Sequence, residues 1–499
     1  RVNELIFVTM DLCSGTPGSS DVCDVTSRIV QRRLCSEVFM SQSAGKLDYK
    51  RTLFLGFGFL ASSLAWSIYN SLVPVLLEQR FMLSTVVIGT IMTIDNIFGI
   101  IFQPLVGASS DKTFTRYGRR MPWIIIGIPL SAIFFTLIPW AQSLGLMMAF
   151  IICFNLIMSM WRSPVIALMP DLTPRQLRSK ANGVINLMGG IGSIIAFLIG
   201  GILASLDNTG RLTFGMGSIV MVLALIFLVI FIREPVADAW MRAQREQVGK
   251  RLSAKEFSKT LAEEEFAEIK DKGGLDRKLT SGEKKSLILL LGAIFFWFCA
   301  YNAIETFFTL FATNVLNVST GVATIMLTSF SLTFVAFALP AGLIAGKRGR
   351  KKTIVSGLFL LIAFMLPMIF INPILTVLGV DVASASSLLI KQIVVIGLLA
   401  CAGFGWACVN INSLPMVVEL ASHDKIGRFT GYYYFFSFGA SIFSPILFGA
   451  IRDLTQDYNT LFVYAVICFG LALLCTLFVK HGEVEPHDPE VMEEALLDA

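Results

Sequence analysis

An arginine-rich turn appears twice in this chain, and each copy lies between two long apolar runs. The first copy spans 107–120 and the second spans 342–352. Both are rich in glycine, lysine and arginine. Repeated basic connectors between apolar segments predict an internal duplication, with two related helical halves joined in tandem.

A second repeat supports the duplication. Its members recur with identical spacing: Asp171, Lys180 and Gly183 match Glu419, Arg428 and Gly431. The two halves therefore align without gaps in this region. A six-plus-six helical repeat with a cavity at its midplane is the expected layout.

The composition explains what the halves are made of. Of 499 residues, 55% are hydrophobic and only 15% are charged. A run of about 18 or more apolar residues predicts a membrane-spanning helix, whose backbone groups are satisfied within the segment. We predict an all-α membrane protein with twelve transmembrane helices in two six-helix pseudo-symmetric halves. The predicted spans are 52–77, 86–109, 121–141, 145–168, 183–206, 214–233, 285–312, 322–346, 353–371, 387–415, 428–451 and 460–479.

Domain boundaries follow from the apolar runs and the polar stretches between them. The predicted domains are an N-terminal tail 1–50, a first half 51–233, a linker 234–284, a second half 285–480 and an acidic tail 481–499. Residues 1–39 lack a long apolar run and signal-peptide order, so we interpret them as a non-native extension or a disordered tail.

Lysine and arginine concentrate in the connectors on one side of the predicted bundle. By the positive-inside rule, this side and both termini are cytoplasmic. The net charge of +5 is then a consequence of topology, and no nucleic-acid partner is expected. The short loops favour a plasma membrane of the bacterial inner-membrane type, and we expect a monomer in the lipid bilayer.

The basic turns also predict a cytoplasmic gate. We predict that Arg119 or Arg120 pairs with Asp171, and that Arg350 pairs with Glu419. Such contacts would hold the cytoplasmic side shut and break when it opens. The alternative is that the arginines only set topology. The full set of gate candidates is Asp111, Arg119, Arg120, Asp171, Arg350, Glu419 and Arg428.

Some ionisable residues lie well inside predicted membrane helices. Such a residue costs about 2.5–3.5 kcal/mol even on lenient insertion scales, so it usually faces a cavity and has a function. Asp95, Arg162 and Glu305 are the candidates for ion coupling. Asp95 is the first choice, because a carboxyl group held away from water can take up a proton near neutral pH. The alternatives are a structural Asp95–Arg162 pair and a hydrated Glu305.

Polar and aromatic side chains on the same helices suggest a sugar site. Sugars need hydrogen bonds to their hydroxyl groups and a flat apolar platform for the ring. The alternative for the tryptophans is anchoring at the membrane interface. The candidates for substrate binding are Tyr69, Asn70, Asn96, Gln103, Asn155, Asn186, Trp297, Tyr301, Asn302, Trp406 and Asn410.

Three segments, at 66–74, 110–124 and 167–183, resemble the sucrose-transporter-like proteins of plants and animals. The similarity spans about 45–480 and extends more distantly to the glycoside–pentoside–hexuronide:cation symporters. It implies a major facilitator fold and proton- or cation-coupled uptake of a sugar or glycoside.

The chain departs from these families at three places. Gly99 and Gln103 stand where the melibiose-type symporters carry cation-binding carboxylates. Arg162 stands at their sugar-binding aspartate, and Asn155 falls where plant sucrose transporters have a helix-four aspartate. A proton, or else sodium, is therefore the predicted coupling ion, and no other cofactor is expected.

The leading interpretation is a secondary transporter that moves a disaccharide-like sugar or glycoside with protons by alternating access. The alternative is proton-coupled efflux of a drug-like or other small solute. A membrane enzyme or receptor is a remote alternative, because the sequence has no nucleophile–base set, metal-ligand spacing or phosphate-binding loop.

Overall fold

The computed structural model describes residues 47–113, 115–173, 177–234, 280–377, 385–420 and 426–481. The predicted extension 1–39, nearly all of the linker and nearly all of the acidic tail lie outside the described residues. The side chain of the gate candidate Arg428 lies outside them as well.

Twelve segments in the described residues are long and apolar enough to cross a membrane, which confirms the predicted spans. The first half contains α1 (Tyr49–Phe81), α2 (Thr85–Met92), α3 (Ile94–Asp111), α4 (Met121–Leu137), α5 (Leu144–Leu172), α6 (Arg178–Leu206) and α7 (Arg211–Phe231). The second half contains α8 (Ser281–Val315), α9 (Thr320–Arg348), α10 (Arg350–Ile369), α11 (Ile371–Val377), α12 (Ala385–Val418), α13 (Ile426–Thr455) and α14 (Thr460–Phe478).

The second predicted span is broken rather than continuous. Helix α2 ends at Met92 and α3 begins at Ile94, so together they form one span with a break at Thr93. The Thr93 hydroxyl donates to the carbonyl of Thr90 at 2.8 Å. Threonine side chains that bond to the preceding turn in this way often bend helices. The break places Asp95 in the first turn of α3.

The internal contacts of the two halves repeat in the same order. In the first half α1 packs on α6 and α7, α5 packs on α3 and α4, and α4 packs on α7. In the second half α8 packs on α13 and α14, α12 packs on α9 and α10, and α10 packs on α14. This equivalence is the structural counterpart of the repeated turns.

The halves meet through α6 with α9, α2 with α13 and α1 with α8. We call the side that carries the two arginine turns the basic side, and the opposite side the distal side. At the distal end of α6 and α9, a Cβ on Gly201 would lie 2.8 Å from the carbonyl oxygen of Gly321. At the distal end of α2 and α13, a Cβ on Gly89 would lie 2.2 Å from the carbonyl oxygen of Pro445. Backbone therefore packs on backbone across the distal side.

The basic ends of the same helices are different. A Cβ added at Gly183 of α6, Gly346 of α9 or Gly431 of α13 would meet open space. The distal glycines thus pack on backbone of the other half, whereas these basic-side glycines have no neighbour within reach of a Cβ.

Candidate functional site

Charged groups from both halves surround Arg162 on α5. Its guanidinium carbon lies 5.8 Å from the centre of the Trp66 ring on α1. Asp95 on α3, and Glu305 and Tyr434 in the second half, interact with it electrostatically. In the part of the chain that the structure describes, no direct ion pair joins Arg162 to either carboxylate. The arginine is therefore close to two acids and bound to neither.

The two carboxylates have different partners. Asp95 accepts a hydrogen bond from the side chain of its neighbour Asn96 at 2.8 Å. The side chains of Asn70 and Tyr301 lie beside Glu305. Because Asn70 belongs to α1 and Glu305 to α8, these neighbouring side chains lie where the two halves meet.

An aromatic platform lies beside Glu305. The rings of Tyr301 and Trp406 are stacked, with centroids 4.4 Å apart and planes 5° from parallel. They border a cavity of ≈ 60 Å³ that is also lined by Glu305, Ser67 and Ser193. Ligand pockets usually measure about 300–1,000 Å³. The enclosed cavity is thus too small for a disaccharide in this conformation, and a bound solute would need part of the gap between the halves.

Three of the predicted substrate contacts are fully buried. The Asn155 amide donates to the Tyr69 hydroxyl at 3.1 Å, inside the first half. Both side chains, and that of Trp297, have 0% exposure. In this conformation they support the site from within each half, and their direct contact with a substrate stays a prediction.

The remaining polar candidates for substrate binding have different surroundings. Asn302 donates to the carbonyl of Phe298 at 2.7 Å, within its own helix. Gln103 folds over Gly99, where an added Cβ would lie 3.2 Å from its amide nitrogen. Asn186 is exposed and Asn410 is half-buried. Their roles also stay predictions.

The predicted ion pairs of both arginine turns are present. Arg119 and Arg120 each contact the Asp171 carboxylate at 3.0 Å, and Arg120 also pairs with Asp111. In the second half Arg350 pairs with Glu419. The Asp171 carboxylate therefore pairs with two arginines of the first turn, and Glu419 pairs with Arg350 of the second.

These pairs do not close the basic side by themselves. Both partners of each pair belong to the same half. The expectation that they break when this side opens stays a prediction. A role in the gate through other contacts stays a prediction.

Sequence reasoning missed Glu234, which follows α7 at the edge of the predicted linker. This side chain is only 2% exposed. Its carboxylate accepts hydrogen bonds from the peptide N–H groups of Arg119 at 2.9 Å, Arg120 at 2.9 Å and Met121 at 2.8 Å. These donors form the N-terminus of α4, where a carboxylate is favoured by the helix dipole.

The turn before α4 is shaped around this carboxylate. Gly118 has φ +111°, and an added Cβ there would lie 2.5 Å from the carboxyl carbon of Glu234. Burial raises the pKa of the Glu234 carboxyl above its usual value, although the three peptide hydrogen bonds oppose the shift. The available signal was an acid directly after an apolar run, on the side that carries the basic turns.

No group of three or more metal-ligating side chains lies together in the described residues. The coupling ion therefore stays a prediction. The arrangement at the centre offers two carboxyl groups that could exchange a proton, one arginine that could compensate their charge, and one flat aromatic surface.

The chain is similar to a known protein family and to several known transport proteins. The family model described as Major Facilitator Superfamily matches residues 55–445 and 316–496. An uncharacterized symporter of Synechocystis is 29% identical over 202 residues, covering 37% of each chain. The sucrose transport protein SUC4 of Arabidopsis thaliana is 31% identical over 120 residues, covering 20% of this chain and 24% of the relative.

These alignments span well under half the length of either relative. Among solved structures, the nucleoside transporter NupG superposes with a TM-score of 0.59 at 14% identity. That match covers 86% of this chain and 98% of the other. A likeness at this identity concerns the fold alone.

Proposed function

The chain belongs to the Major Facilitator Superfamily, and we propose that it is a symporter that moves a sugar or glycoside together with a proton. The observation that carries the proposal is the placement of Asp95, Arg162 and Glu305 between the two halves, beside the stacked Tyr301 and Trp406. The names of its relatives, a symporter and a sucrose transport protein, support the same conclusion.

The proposed coupling uses the arginine as a shared counter-charge. When Asp95 is protonated, Arg162 is free to compensate Glu305. When the proton leaves, Asp95 becomes an anion and attracts Arg162, so the charge balance between the halves changes. Because α3 and α5 belong to the first half and α8 belongs to the second, this change alters the electrostatic energy of bringing the halves together.

The proposed sugar position lies on the Tyr301–Trp406 stack. A sugar ring presents C–H groups on one face, which pack on aromatic rings, and hydroxyl groups at its edge. Asn70 and Glu305 lie beside the stack and can bind such hydroxyls. A solute held there contacts both halves, which is what alternating access needs.

The orientation follows the positive-inside rule. We assign the basic side to the cytoplasm, so that this structure corresponds to a state open toward the cytoplasm. The transported sugar would then enter from the distal side after the distal contacts separate.

Uptake by the purified protein in liposomes tests the proposal. Radiolabelled sucrose is the first probe, with and without an imposed pH gradient and with a sodium gradient in a separate arm. We expect accumulation only with the pH gradient. Asp95→Asn should abolish accumulation but spare sugar exchange, and Asp457→Asn in a distal loop is the matched control. Normal accumulation by Asp95→Asn, or sugar flux indifferent to both gradients, would overturn the coupling scheme.

A further inference from the structure

A cluster of polar residues joins the two halves on the distal side, away from the candidate site. We call it the distal latch, and its members are Glu78, Asn314, Arg452, Asp453 and Tyr458. Glu78 lies on α1 in the first half, and the other four belong to the second half.

Glu78 is the centre of one part of the distal latch. The Tyr458 hydroxyl donates to its carboxylate at 2.5 Å, and the Asn314 amide donates to the other oxygen at 3.2 Å. Arg452 lies 4.0 Å from the same carboxylate. Its guanidinium carbon is 4.3 Å from the centre of the Tyr458 ring, so the arginine is held in place by stacking.

Asp453 forms the second part of the distal latch by capping a helix of the other half. Its two carboxylate oxygens accept the N–H groups of Thr85 and Val86, each at 2.9 Å. These donors are the first residues of α2. Ser84, the N-cap residue of α2, provides no side-chain hydrogen bond. The start of α2 therefore depends on a carboxylate from α13.

These contacts are partly shielded from water, and they join groups that belong to different halves. The side chains of Glu78, Arg452 and Asp453 are 22%, 19% and 21% exposed. Close packing at Gly89 and Gly201 brings the distal ends of the helices near enough for these contacts to form. Separation of the distal ends would remove the partners of Glu78 and the cap of α2 in one step.

We propose that the distal latch sets the balance between the present conformation and one that is open on the distal side. Each contact stabilises only the closed distal end, so its loss shifts the population toward distal opening. The proposal does not depend on which solute is carried. It concerns residues that make no contact with the candidate site.

Hydrogen–deuterium exchange on the purified full chain in lipid nanodiscs tests the proposal. The variants are Asp453→Asn and Glu78→Gln. The matched control is Asp207→Asn, because Asp207 also caps distal backbone, accepting from Thr209 and Leu212, but within one half. The readout is exchange in 320–328 of α9, at the other distal crossing, because 196–206 of α6 end next to the control residue.

We expect both variants to accelerate exchange at that remote crossing by roughly fivefold, the loss that corresponds to one helix cap. Asp207→Asn should leave it unchanged. If Asp453→Asn accelerates exchange only in 85–92, the carboxylate is a local cap and the proposal is overturned. Equal acceleration by the Asp207→Asn control would overturn it as well. Because the readout is conformational, these outcomes are independent of sugar transport.

Discussion

The two ends of the bundle use charge in different ways. On the basic side, the ion pairs of Asp171 and Glu419 connect elements of the same half. On the distal side, Glu78 and Asp453 bind partners in the opposite half. Charges on the basic side therefore stiffen each half and fix its connectors, whereas charges on the distal side decide whether the halves touch. Similar residues thus serve stability at one end of the bundle and conformational balance at the other.

The largest effect is expected from Glu234→Ala on the basic side. This change leaves three peptide N–H groups at the start of α4 without their acceptor, and we expect a loss of about 3 kcal/mol in stability. Thermal unfolding of the purified protein in detergent measures it. Glu234→Gln keeps one acceptor oxygen and should lose less. An unchanged unfolding midpoint for the alanine variant would show that the first half does not depend on this contact.

Substitutions at Gly89 and Gly183 test whether the two ends of the bundle differ in how closely their helices pack. Gly89→Ala places a Cβ against the backbone of Pro445, whereas Gly183→Ala places one in open space. We expect Gly89→Ala to destabilise this conformation by about 1–3 kcal/mol through overpacking, and Gly183→Ala to be neutral or slightly stabilising. Thermal unfolding of the two variants side by side is the measurement. Equal unfolding midpoints for the two variants would show that close packing at Gly89 does not distinguish the distal side from the basic side.

The two arginine turns should differ from each other by less. Asp171→Asn removes the partner of two arginines, and Glu419→Gln removes the partner of one. We expect about 1–2 kcal/mol for the first and about 0.5–1 kcal/mol for the second, because these pairs are partly exposed. The ranking is read from unfolding midpoints at low salt and again at high salt. A larger loss for Glu419→Gln would reverse the assignment of the stronger turn.

The smallest effect concerns pH on the distal surface. Partial burial acts to raise the pKa of Asp207, but hydrogen bonds from Thr209 and Leu212 outweigh it and hold that pKa below its usual value. The ionised group therefore stabilises the fold above the unfolded pKa of about 3.9, and this contribution is lost as the pH falls through the folded value. The unfolding midpoints of the wild type and Asp207→Asn should differ at neutral pH and converge below about pH 4. A constant difference would show that Asp207 stabilises the loop without its charge.

The twelve spans and the pairing partners of both turns followed from the sequence, because long apolar runs and repeated spacings are local signals. The break at Thr93 did not, since one hydroxyl inside an apolar run has no periodic signature. Glu234 and the distal latch were missed for a related reason. Their partners lie 113 or more residues away in sequence, and only packing of the helices brings them together. The central acids were found because charge inside a membrane helix is itself unusual.

The glycines that face open space on the basic side have a practical consequence. Under the proposed alternating access, the opposite state would bring the basic ends of α6 and α9 together, near Gly183 and Gly346, which now face open space. A bulky residue such as Gly183→Trp would obstruct that approach while leaving the present arrangement undisturbed. A single substitution at Gly183 would then hold the protein in the present conformation. Such a variant would provide a homogeneous sample for raising conformation-specific antibodies.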